Sequence, residues 1–105
     1  MKLDIPDNIE IRLCLEPTDM RKSFDSLSRL VSDIVKADPF SGHLFIFTNK
    51  RHNMFKILFW DRTGFCLYYK RLENGKISLP SVPDKSSLCL DRRHLSLLLD
   101  GISFT

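Results

Sequence analysis

Residue types able to do chemistry are plentiful in this chain, but their spacing assembles no catalytic set. Asp19, Asp25, Asp38 and Asp61 could in principle hold a divalent metal for phosphodiester cleavage. Asp19, however, sits where a helix cap belongs, Asp38 precedes a proline in a turn, and Asp61 opens a hairpin. Nothing in the spacing gathers three carboxylates on one face. His43, His52 and His94 are scattered, the first two in expected loops, and all three read as surface histidines. There is no phosphate-cradling glycine loop, no HExxH and no GxSxG. Cys14, Cys66 and Cys89 are far apart, odd in number and each flanked by apolar residues. They read as buried free thiols of a reducing compartment, not as metal ligands. The expectation is a binding protein with no catalytic residue, no metal and no cofactor.

What the sequence does concentrate is positive charge among aromatic rings. The net charge is +3 over 105 residues. Residues 1–49 are net −2 and residues 72–105 are neutral, whereas residues 50–71 carry six cations against Asp61 alone. A local excess of this kind points to an anionic partner more strongly than an overall pI does. Arg21, Lys22, Lys50, Arg51, Lys56, Lys70 and Arg71 are the candidate phosphate contacts, with Trp60 and Tyr68 as packing surfaces. Rings suit bases and sugars while cations neutralise phosphates. The same residue types dominate protein interfaces, so the pattern fits DNA and a protein partner equally. The bland alternative for any one lysine is a stem lying on apolar neighbours with its head in water.

These side chains must be positioned by a small number of elements. Ile9, Ile11, Leu13 and Leu15 alternate with polar neighbours, which predicts a strand ended by Pro17. Phe24, Leu27, Leu30, Val31, Ile34 and Val35 recur at three- and four-residue spacing. They predict an amphipathic helix capped by Thr18 or Asp19 and finished near Lys36, before Asp38-Pro39. Gly42 sits in a turn needing positive φ. Leu44–Thr48, Phe55–Trp60 and the stretch from Phe65 to Glu73 read as three strands of a meander, with Lys76–Leu79 as a short edge strand before Pro80. Leu88–Leu90 is a short extended piece, and Asp91 caps a last helix ended by Gly101, with Ile102 and Phe104 tucked back on the body.

The fold class expected is α+β: an antiparallel meander covered on one face by the amphipathic helix, with a short C-terminal helix. Residues 1–105 make a single domain, with a compact body over about 9–80, a linker over about 81–87 and the last helix over about 91–100. With no apolar run long enough for a signal peptide or a membrane span, the expectation is a cytoplasmic protein with no membrane partner.

One detail of register decides whether a phosphate site exists. Asp61-Arg62-Thr63-Gly64 has the residues of a three-residue loop closing on a glycine bulge. That loop pairs Asp61 with Phe65 and places Lys56 directly opposite Lys70, beside Trp60 and Tyr68. Like charges face to face cost up to ~1 kcal/mol, so such a pair calls for an anion between them. A slip of one residue sends the two lysines to opposite faces and removes the argument.

The stretches PTDMRKSFDSL, DPFSGHLFIF and KILFWDRTGFCLYYKRLENG together resemble one family. It is the TnpB accessory protein, the second-reading-frame product of the sixty-six-type group of bacterial insertion sequences. The resemblance covers roughly residues 11–80 and is weaker through the last helix. The matching positions are Pro17, Asp19, Met20, Arg21 and Lys22; Asp38, Pro39, Phe40, Ser41 and Gly42; Lys56, Trp60, Asp61 and Gly64; and Lys70, Arg71, Leu72, Glu73, Gly75 and Pro80. Departures are Ser26 in place of a glycine, and Phe59 and Leu79 in place of tryptophans. The resemblance implies a role in transposition beside a separate, larger transposase that carries the catalytic carboxylates. The partners it implies are the DNA of transposon ends, the cognate transposase, or both.

Overall fold

A computed structural model describes residues 5–80 and 82–100. The expected ends of the last helix at Gly101 and of the tail at Ile102 and Phe104 lie outside the described residues. The strands are β1 (Ile11–Cys14), β2 (Leu44–Thr48), β3 (Met54–Asp61), β4 (Gly64–Arg71) and β5 (Ser87–Leu90). The helices are α1 (Phe24–Leu30, running on into one wide turn at Val31–Val35) and α2 (Arg92–Leu99). The strands form one sheet in the order β4-β3-β2-β1-β5.

The α+β class and the β2-β3-β4 meander are as the sequence predicts, but the sheet is mixed and covered on both faces. β1 lies parallel to β2, joined to it through α1, and β5 closes the far edge antiparallel to β1. Every residue of β2 is buried. Its alternation divides the core: Leu44 and Ile46 belong to one cluster, Phe45 and Phe47 to the other. The second cluster takes Leu27, Val31 and Val35 from the apolar stripe of α1. The first takes Leu95, Leu98 and Leu99 from α2. The C-terminal helix therefore covers the second sheet face, where the sequence predicts a cover on one face alone.

Three local expectations need correction. α1 begins at Phe24 with Ser23 at its N-cap, later than a cap at Thr18 or Asp19 would place it. Thr18 is instead buried, and its backbone N–H donates to the carbonyl of Thr48, which ties the strand exit to β2. Lys76–Leu79 forms no strand; Ile77 inserts into the core while its N–H bonds the carbonyl of His52. Of the three thiols, all free, only Cys14 is buried, and burial raises its pKa; Cys66 is half-buried and Cys89 exposed. The helix end and the turn at Gly42 agree with expectation. Lys36 takes the left-handed conformation (φ 60°) that terminates the wide turn, and Gly42 has φ 87°.

Candidate nucleic-acid interface

The β3–β4 hairpin settles the register against the expectation. Asp61 pairs with Gly64 across a two-residue loop, with Arg62 at positive φ (47°). Lys56 therefore faces Tyr69, and Lys70 faces Phe55. Turn chemistry alone favours the bulged loop, which suits a hairpin with one buried face. Burial on both faces decides otherwise: this register joins Leu58 to Leu67 under α1 and Ile57 to Tyr68 on the opposite face.

Both lysines consequently work inside the fold. Lys56 is only 6% exposed; its ammonium donates to the carbonyl of Lys22 at 2.7 Å and lies 4.6 Å from the centre of the Tyr69 ring. It anchors the loop that leads into α1. Lys70 donates to the carbonyl of Leu99, the last residue of α2. A cation there satisfies a helix carbonyl that has no partner within the helix and opposes the negative end of the dipole. Tyr68 packs its ring on Phe55 at a centroid distance of 6.2 Å, on the α2 side.

The remaining candidate cations gather at one end of the sheet. β1 and β2 run parallel, so the loop after β1 and the β2–β3 turn leave the sheet at the same end. Residues 17–21 of that loop and Asn49, Lys50, Arg51 and Met54 line an open groove of ≈ 550 Å³. Lys22 follows directly, and Arg71 lies opposite Met54 on the neighbouring strand. Lys22, Lys50 and Arg51 are exposed, and their side chains make no ion pair or hydrogen bond among the described residues. Arg21 is held by Asp19, with Nη2 to Oδ2 at 2.6 Å and the Arg21 backbone N–H to Oδ1 at 2.9 Å. The guanidinium and backbone hydrogen bonds from Arg21 pull the Asp19 carboxyl down to a pKa of about 2. Arg71 pairs in the same way with Glu73 at 2.8 Å.

The turn carrying Lys50 and Arg51 is rigidly held, a feature the sequence reading passed over. Asn49 is buried, and its Oδ1 accepts the backbone N–H groups of Asn53 and Met54, each at 3.0 Å. Its Nδ2 donates to Asn53 Oδ1 at 2.7 Å. The carbonyls of His52 and Asn53 accept from Ile77 and Leu72. The visible signal is the pair of asparagines four apart flanking the basic tripeptide Lys50-Arg51-His52.

Trp60 stands apart from this rim. It lies six residue steps along the extended strand from Met54, roughly 20 Å. At the opposite end it forms a cluster with Phe40 and Phe65, at centroid distances of 5.1 and 5.0 Å. The single basic-aromatic surface expected from the sequence is thus two surfaces, one cationic and one aromatic.

Each of the carboxylates Asp19, Asp38 and Asp61 has a local partner or turn role. Asp38 accepts the N–H of Phe40, Asp61 lies 3.8 Å from Arg62, and Asp91 caps α2 by accepting the N–H of His94. Among the described residues no three His, Cys, Asp or Glu side chains could hold a metal ion, and no helix is long and apolar enough to cross a membrane. His43 Nδ1 accepts the N–H of Glu10, and His94 Nδ1 lies 2.8 Å from the Asp91 carboxylate.

The described residues define a small α+β protein with a sheet packed on both faces and one cationic rim. Residues 9–105 match the family described as IS66 Orf2 like protein, and the chain belongs to that family. It is therefore of the accessory kind found in IS66-type insertion sequences. Two relatives come from Sinorhizobium fredii (strain NBRC 101917 / NGR234). The uncharacterized protein y4hO is 33% identical over 97 residues, covering 92% of this chain and 84% of that protein. The uncharacterized protein y4jC is 34% identical over 97 residues, covering 92% and 82%. No solved structure matches the chain.

Proposed function

We propose that this accessory protein does no chemistry of its own and binds the phosphate backbone of insertion-sequence ends, in the cytoplasm, through the rim at the β2–β3 end of the sheet. The observation that carries this reading is the convergence of Lys50 and Arg51, on a turn fixed by Asn49, with Arg21 across one groove, the exposed Lys22 following Arg21 directly in the chain. A rigid turn presents its cations without paying ordering entropy at each binding event. Lys50, Arg51 and Lys22 make the primary contacts. Arg21 and Arg71 are secondary, because each must share its guanidinium with an acidic neighbour. Lys56 and Lys70 support the fold beneath the rim, while Trp60 and Tyr68 lie outside it.

The rim holds phosphates and does not read bases, so binding by the isolated protein favours duplex over no particular sequence. A gel shift on insertion-sequence ends, with and without the transposase, tests this. A shift by the protein alone, reduced by Lys50→Ala with Arg51→Ala, is the expected result; no shift in any condition overturns it.

The second reading is an adaptor that docks the transposase with no DNA contact. The exposed Phe40, 57% accessible beside Trp60 and Phe65, favours it, because aromatic side chains of this kind dominate protein interfaces. Co-purification with the transposase that survives nuclease treatment, together with no shift by the isolated protein, selects this reading.

A further inference from the structure

We infer that the chain forms a symmetric dimer by pairing its β4 strand antiparallel with β4 of a second copy. The sheet ends at β4, and among the described residues no strand lies on its outer side. The other edge, β5, is four residues long, but β4 has eight and contains neither proline nor a bulge. A long edge without these devices is a template for another strand. None of the eight residues of β4 is fully buried, in contrast to the continuous buried run in β3.

The hydrogen-bond parity of the hairpin shows which backbone groups are on offer. The N–H of Leu72 donates inward to Asn53, so even-numbered residues of β4 face β3. Phe65, Leu67, Tyr69 and Arg71 therefore point their N–H and C=O groups outward. Their side chains also share one face, the α1 side, where Tyr69 is 51% exposed and Phe65 and Leu67 are half-buried against the α1 cluster.

The strand fits itself in one register. A two-fold axis at Tyr68 pairs Phe65 with Arg71 and Leu67 with Tyr69, so all four outward-facing residues bond one another. Moving the axis to Leu67 leaves Arg71 opposite Thr63, in the turn. Charge also favours a second copy in this orientation. Lys70 and Arg71 lie at one end of β4, and antiparallel pairing sets them opposite Cys66 and Phe65. The two cationic ends are then on opposite sides of the axis, whereas a parallel partner would stack them, which is unfavourable. Arg71 meets the Phe65 ring, and Tyr69 covers Leu67, which closes the apolar band on the α1 side.

The test uses the full chain, with sedimentation and amide exchange followed at high and low protein concentration. The expected result is a dimer in which the Phe65, Leu67 and Tyr69 amides are protected only when concentrated, while Cys66 and Tyr68 stay protected throughout. Tyr69→Glu places a carboxylate beside Lys56 in the monomer but against Leu67 of the partner, and should weaken the dimer by at least about tenfold. A monomer at every concentration overturns the proposal, as does a dimer that leaves those amides unprotected or is unaffected by Tyr69→Glu. Protection that appears only on adding the transposase also overturns it, because a strand of another protein then occupies the edge. None of these readouts requires DNA, so failure here leaves the DNA reading intact, and the reverse also holds.

Discussion

Lys56 and Lys50 are both lysines of the β2–β3 region, yet they differ in what they can do. The Lys56 ammonium is buried on the Lys22 carbonyl, and its replacement removes both a charged hydrogen bond and a packed stem. Lys56→Ala is expected to cost about 2–4 kcal/mol in denaturant unfolding, and Lys56→Met, which keeps the stem, should cost less. Lys50→Ala should leave stability within ~0.5 kcal/mol, as expected for an exposed side chain away from such features. Equal effects of the two alanine variants on stability would contradict the assignment. Asp19 offers a separate check. Its carboxyl lies at about 2, below the ordinary 3.8, because of the Arg21 hydrogen bonds. The folded value is the lower one, so any stability the pair contributes is present above about pH 4 and lost as pH falls through about 2. Arg21→Ala should move the Asp19 titration, followed by NMR, back towards 3.8.

At the scale of elements, the turn at residues 49–53 and the end of α1 make different demands on the sequence. Asn49→Ala should destabilise the protein by about 2 kcal/mol, since two backbone N–H groups lose their acceptor. Its larger effect should fall on binding, because Lys50 and Arg51 lose their fixed presentation. Lys36 holds a conformation that costs a non-glycine residue about 1 kcal/mol. Lys36→Gly should accordingly raise the unfolding midpoint in denaturant. Much of this level was legible beforehand. The α1 stripe, β2, the meander and the Asp91 cap all follow from periodicity and cap chemistry. The start of α1 was not legible, because Thr18 gives its N–H to Thr48, a tertiary bond that no local pattern announces. Nor was the hairpin register, since the choice between a two- and a three-residue loop depends on which faces are buried.

For the whole molecule, the decisive feature is that α1 and α2 cover opposite faces of one mixed sheet. That arrangement turns Lys56 and Lys70 from a facing pair into two separate anchors, one for the loop before α1 and one for the end of α2. It also leaves Arg21, Lys22, Lys50, Arg51 and Arg71 at one end and the Phe40–Trp60–Phe65 cluster at the other. The sequence showed that positive charge was concentrated within residues 50–71, but linear proximity could not show that a strand of about 20 Å separates the ring of Trp60 from the rim. Arg21 and Lys22, distant in sequence, join the rim only because β1 and β2 are parallel.

The central claim is that this rim neutralises phosphates. The direct test is a titration of the isolated protein against insertion-sequence-end duplex across a range of salt concentrations. If about four phosphates are engaged, log affinity should fall with log salt at a slope of about −3 to −4, and Lys50→Ala with Arg51→Ala should reduce that slope by about 2. A salt-independent interaction, no interaction, or a slope untouched by the double substitution would contradict the account.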